Sequence, residues 1–167
     1  MRIIVELVAA RVIADEVRYL GAERDAPNGT DPDLAARAEL ARHFPGLCLG
    51  DVVLHSTSWR YEHDHIVLTH LAYSDHFEPD TLPNAFALDN VKDPESGPDS
   101  VAAHAVRHLA FLVGEDPAEY EKKLRPDTLA ALKGVAPDVA GRHDLPGAAW
   151  LSARGAGARR TRAGQPS

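Results

Sequence analysis

Residues 52–73 read VVLHSTSWRYEHDHIVLTHLAY, and the reading of this stretch decides the fold. Two runs rich in Val, Thr, Ile, Leu, Trp and Tyr flank the polar centre Tyr61-Glu62-His63-Asp64, which is the composition of two strands joined by a short loop. A β-hairpin is therefore expected. Whether Glu62 and His63 alone or all of residues 61–64 form the loop, the same register follows, with His55 opposite His70. Side chains alternate along a strand. One face then carries His55, Thr57 and Trp59 with Ile66, Leu68 and His70, and the other carries Leu54, Ser56, Ser58 and Arg60 with Val67, Thr69 and Leu71. A one-residue slip would turn every side chain of one strand to the opposite face.

The clearest helix lies downstream, at residues 100–113. Asp99 or Ser100 caps it and Gly114 ends it. Its apolar arc is centred between Val101, Ala105, Leu109 and Val113, with His104 and His108 together at one border. A second helix is expected from Asp31-Pro32 to about His43, because Asp caps free N–H groups and Pro at the first helical position loses no hydrogen bond. Leu34, Ala38 and Ala41 make its apolar stripe, with Leu40 beside it. Pro45-Gly46 terminates it.

Residues 2–20, RIIVELVAARVIADEVRYL, are expected to form a helix with Arg11, Asp15 and Arg18 on one face, stopped by Gly21. The competing reading is a strand over residues 3–8, since Ile3-Ile4-Val5 is β-branched. Residues 22–30 read as a loop turning at Pro27-Asn28-Gly29. Residues 74–100 form a long acidic, proline-rich connector in which residues 84–88 can add a short edge strand. Asp116-Pro117 starts a short helix to about Leu124, and Pro126-Asp127 another that stops at Gly134. Residues 136–147 are irregular, and residues 148–151 bring Trp150 back onto the body.

Composition bounds the function. The 167 residues suit one domain, expected over residues 1–151, with a core large enough to need no disulfide or structural metal. The net charge is −7, while residues 152–167 hold four arginines and no acid, so this tail is read as disordered and the body is more acidic than the whole. An acidic body argues against nucleic acid as a partner, because affinity there comes from cations that neutralise phosphates. No stretch of about 18 apolar residues is present to span a membrane. The single cysteine, Cys48, cannot pair within the chain; with leucines on both sides it is read as a small buried hydrophobe, and the protein as cytoplasmic.

Two constellations can carry chemistry. His104 and His108, four apart on a helix, and His55 and His70, opposed across the hairpin, would supply up to four nitrogen ligands to a divalent metal such as zinc if the helix packs on that face. The pattern lacks the glutamate that follows the first histidine of a zinc-protease helix, since Ala105 stands there. Without metal, Arg60 with Ser56, Ser58 and the neighbouring Thr57 and Tyr61 can hold a carboxylate or phosphate through charge-assisted hydrogen bonds. Trp59 is read either as a core anchor or as one wall of that ligand pocket. The acids Asp89, Asp93, Glu95 and Asp99 do not have calcium-loop spacing. No phosphate loop, dinucleotide fingerprint, Cys-x-x-Cys or nucleophile elbow is present.

The expected fold is α+β: a small antiparallel sheet built on the central hairpin, covered on one face by the 100–113 helix and flanked by the N-terminal helix. The expected function is that of a small-ligand-binding or regulatory domain, its pocket between the hairpin and that helix. The alternative is a small metal-assisted hydrolase using the histidine cluster, with Arg60 orienting an anionic substrate. Oligomeric state is left open.

Overall fold

The computed structural model describes residues 1–92 and 99–142. Its first element corrects the expected N-terminal helix. β1 (Arg2–Ile13) and β2 (Glu16–Ala26) form a hairpin, paired antiparallel from Ile3↔Ala26 to Ile13↔Glu16. The chain reverses at Ala14, which takes φ 55°. β1 is one of the two central strands of the sheet, antiparallel to β2 and parallel to β4 (His65–Tyr73). Val5, Leu7 and Ala9 are buried on one face; Glu6, Val8 and Ala10 are buried on the other. A strand buried on both faces shows no period of two. Gly21, expected as a helix stop, sits inside β2.

The central hairpin forms as expected, from β3 (Val53–Glu62) and β4, but with two differences in register. Its loop is His63-Asp64, closed by the Glu62↔His65 pair, and His63 takes φ 52°. Further along, pairing steps from Ser58↔Thr69 to Ser56↔His70, leaving Thr57 as the extra residue of a β-bulge. Between loop and bulge the expected faces hold. Beyond the bulge they are exchanged: His55 now stands opposite Leu71, and His70 opposite Ser56.

Two short strands complete a six-stranded, mostly antiparallel sheet of order β5-β2-β1-β4-β3-β6. β5 (Asn84–Ala87) is the expected edge strand and pairs with β2; β6 (Gly141–Arg142) lies parallel to β3 at Ser58 and Trp59. The fold is α+β, and helices cover both faces of the sheet. α1 (Pro32–His43) is capped as expected, with the Asp31 carboxylate accepting from Asp33 N–H at 2.9 Å. It buries Ala35, Ala36, Glu39 and Leu40 against Val5, Leu7 and Ala9. The expected stripe is corrected: Leu34 is 60% exposed, because the alanines let the helix backbone approach the sheet on the adjoining face.

α2 (Ser100–Glu115) covers the opposite face. Val101, Ala105, Val106 and Leu109 pack with Val8, Ala10, Leu71 and Tyr73 in the main core. Each fully buried Val or Leu side chain contributes about 1.5–3 kcal/mol. The expected Gly114 stop is overrun by one residue. α3 (Pro117–Tyr120) is one turn, shorter than expected, and α4 (Pro126–Lys133) matches its expected limits. Asp75 ties the end of β4 to α4: its carboxylate accepts from Thr128 Oγ1 at 2.7 Å, Arg125 N–H at 2.8 Å and Tyr73 Oη at 3.1 Å. Cys48 is exposed, not buried, since the turn that carries it lies outside the core. Among the described residues no helix is long and apolar enough to cross a membrane. The expected basic tail, the return of Trp150, and the acids Asp93 and Glu95 lie outside the described residues.

Candidate functional site

The strand registers align one polar row across the α2 face. Glu23 is opposite Glu6, Glu6 is beside Thr69, and Thr69 is opposite Ser58. The next row is Gly21, Val8, Leu71 and His55, and the one after it Tyr19, Ala10, Tyr73 and Val53. The face thus changes from apolar to polar within one row.

At the centre of the polar row is a buried ion pair. Arg60 donates from Nη1 and Nη2 to the two oxygens of Glu6, at 2.6 and 3.2 Å, and from Nε to Glu62 Oε1 at 2.7 Å. Thr69 Oγ1 accepts from Arg60 at 3.2 Å and donates to Glu6 Oε2 at 2.8 Å. Arg60 is 3% and Glu6 4% exposed. Burial opposes the guanidinium charge, but the hydrogen bonds and attraction of Glu6 and Glu62 outweigh it, and the Arg60 pKa is raised. Ser58 Oγ, buried in the same row, has no hydrogen-bond partner among the described residues.

A cavity of about 180 Å³ opens beside this pair, lined by Glu6, Val8, Tyr19, Gly21, Asn84, Val101 and Ala102. Val101 and Ala102 come from the first turn of α2, Asn84 from β5, and the rest from β1 and β2. A Cβ built on Gly21 meets nothing within 4 Å. Tyr19 Oη donates to Asp99 Oδ1, and Asn84 Nδ2 donates to the Tyr19 carbonyl at 3.3 Å. Burial, then Asp99, then Glu6 push the Tyr19 phenol pKa far up, so it stays protonated. A larger depression of about 310 Å³ among α2, α3 and α4 is lined mainly by apolar side chains, with Glu121 and Lys133 also present.

The histidines form a separate cluster at the β3 edge of the same face. His108 Nδ1 lies 3.2 Å from the Asp138 carbonyl, which only an N–H can satisfy. Its Nε2 is then an acceptor, and it meets His55 Nδ1 at 3.1 Å. His55 Nδ1 also lies 2.8 Å from the Ser56 carbonyl. The consistent assignment is a neutral His108 between a carbonyl and a donating His55. His104 Nε2 faces the carbonyl of the bulge residue Thr57 at 3.4 Å, and its Nδ1 lies 3.3 Å from Asp138 Oδ2. Burial lowers the pKa of both His104 and His108.

The four-histidine metal site does not assemble. The Thr57 bulge leaves His55 on the α2 face and His70 on the α1 face, where His70 Nε2 meets Asp33 Oδ1 at 2.9 Å. Among the described residues no group of three or more His, Cys, Asp or Glu side chains is arranged to hold a metal ion. The bulge also divides the expected anion site. Ser56 joins His70 on the α1 face, Ser58 and Arg60 stay on the α2 face, and the guanidinium already engages two carboxylates. Trp59 is neither a deep core anchor nor a wall of the cavity; it lies on the α1 side of β3, 36% exposed, edge-on to Tyr61 with ring centroids 5.7 Å apart.

Glu6, Tyr19, Gly21 and Asn84 were not among the residues expected to form a site. One signal for Glu6 was available: it is the sole charge within IIVELVAA, residues 3–10, and a lone acid in an apolar strand is buried only when paired. No protein-family model matches the chain, and a search of curated proteins gives no match.

Proposed function

We propose that this chain is a small-ligand-binding domain whose ligand sits in the cavity between the sheet and the first turn of α2. The observation that carries the reading is a buried carboxylate, Glu6, on the wall of a cavity that Gly21 also lines, where an added Cβ would meet nothing within 4 Å. Binding sites are concave, mostly apolar, and carry a few placed polar groups. Val8, Val101 and Ala102 supply the apolar wall, and Glu6, Tyr19 and Asn84 the polar groups. The proposed site adjoins α2, its sheet side comes from β1 and β2, and the 52–73 hairpin contributes through the grip of Arg60 and Thr69 on Glu6. No observation favours the metal-assisted hydrolase.

The test is a fragment screen by backbone-amide NMR on the wild-type chain and on Gly21→Leu. Gly21 is open, so the leucine fits at little cost in stability and occupies the ligand's space. Fragments that shift the amides of Gly21, Val101 and Ala102 in the wild type, and no longer do so for Val101 and Ala102 in the variant, are expected. A set of fragments that leaves these amides unmoved, or that shifts Val101 and Ala102 equally in both proteins, overturns the reading.

A further inference from the structure

We propose that the ligand is a small organic cation with N–H donors, an ammonium or guanidinium compound, bound through Glu6 Oε1; this rests on the reading of the cavity as the ligand site. A carboxylate has about four lone-pair positions. Among the described residues Glu6 Oε2 accepts from Arg60 Nη1 and Thr69 Oγ1, whereas Oε1 accepts from Arg60 Nη2 at 3.2 Å. Oε1 therefore keeps an acceptor site on a residue that lines the cavity.

The charge around the cavity has the matching sign. Arg60 engages the buried Glu6 and the partly buried Glu62 together, so these three side chains carry one negative charge more than positive, with His65 Nε2 3.8 Å from the outer carboxylate. Asp99 adds another at Tyr19 Oη, and burial together with both Asp99 and Glu6 holds that phenol protonated. The first turn of α2 presents the positive end of a helix dipole, which by itself would favour an anion. Asp99 is the N-cap residue of α2; its carboxylate makes no capping hydrogen bond to the helix and accepts from Tyr19 Oη beside the cavity. An anionic ligand would add to the negative excess; a cation offsets it.

Size narrows the class. The cavity of about 180 Å³ has room for the charged end and a short alkyl part of such a compound. Its charged end would reach Glu6 and its alkyl part would lie against Val8, Val101 and Ala102.

Titration with ethylammonium, methylguanidinium, acetamide and acetate, followed at the Gly21, Val101 and Ala102 amides, tests the proposal. The cations should bind more tightly than acetamide by about tenfold or more, the worth of one charge-assisted hydrogen bond, and acetate should not bind. Cation affinity should fall with added salt, and Glu6→Gln should remove the preference over acetamide. Asp99→Asn, which leaves the Arg60 pair intact, should weaken the cations and not acetamide; it carries the test if the Glu6 variant does not fold. Acetamide or acetate binding as well as the cations, in a cavity that Gly21→Leu still blocks, overturns the cationic ligand and leaves the site standing. No shift with any of the four probes overturns the cation, and a blank fragment screen then removes the site as well.

Discussion

The Glu6–Arg60 centre and the His55–His104–His108 cluster occupy the same face of one sheet under the same helix, yet they solve burial in different ways. In the histidine cluster the groups close on one another: His108 sits between the Asp138 carbonyl and His55, and His104 lies between the Thr57 carbonyl and Asp138. Around Glu6 two carboxylates share one guanidinium, and Glu6 itself lines a cavity. Residue types that suggest chemistry are thus in their place for packing, while an inconspicuous glutamate borders the cavity. On the proposed reading, the buried carboxylate at a cavity, and not the histidine cluster, is the place to look for a ligand.

The contrast can be broken by mutation. Arg60→Ala removes the cation from the buried Glu6 and the partly buried Glu62 and should cost about 3–5 kcal/mol in urea unfolding. Replacing both partners, Glu6→Leu with Arg60→Met, should recover most of that loss, because the cost lies in leaving one charge without the other. If the single variant loses less than about 1 kcal/mol, typical of an exposed pair, the centre is wetter than its burial indicates.

His108→Leu should cost about 1–3 kcal/mol, for two hydrogen bonds worth about 0.5–1.5 kcal/mol each. His55→Ala should cost less than about 1 kcal/mol, since His55 is exposed and its partner can be replaced by water. A loss at His55 as large as that at Arg60 would erase the distinction between the two clusters.

The histidines also predict a pH dependence. Burial holds His104 and His108 below the ordinary imidazole pKa; Asp138 pulls upward on both, and Arg107 pulls downward on His104. In the unfolded chain they take up protons near pH 6.5, the ordinary value. As pH falls through that value the unfolded state binds protons that the folded state does not, so stability declines with falling pH and levels off above it. Thermal melts in steps below neutrality should show this decline, and His108→Leu should reduce its slope. An unchanged slope in the variant would assign the decline to other groups.

Legibility in the sequence divided along physical lines. Residues 52–73 announced strands through β-branched and aromatic composition, and residues 100–113 announced a helix through their apolar arc and Gly114. The helices opening at Asp31-Pro32 and Pro126 were visible because a proline in the first turn, joined at Asp31 by a capping carboxylate, is a local signal. Residues 2–20 misled because an interior strand buried on both faces has no alternation, and because Ala14, at φ 55°, carries no Asn-Gly or Asp-Gly turn signal. The Thr57 bulge had no Gly or Pro to mark it. That single extra residue separated His55 from His70 and Ser56 from Ser58, and with them both expected constellations.

By itself the sequence determined the local elements whose signals lie within a few residues: the central hairpin, the helices opening at Asp31-Pro32, Ser100 and Pro126, and the α+β class that follows from them; it left the edge strand within residues 84–88 as an option. Tertiary structure alone decided which strand lies in the interior, where the bulge falls, and that Glu6, Tyr19, Gly21, Asn84 and the first turn of α2 meet around one cavity. The reason is one of range. A cap or a turn is settled by neighbours along the chain, whereas a register row joins residues more than 60 positions apart, such as Glu6 and Thr69, whose |i−j| is 63, and is settled only when every strand in the sheet has found its partner.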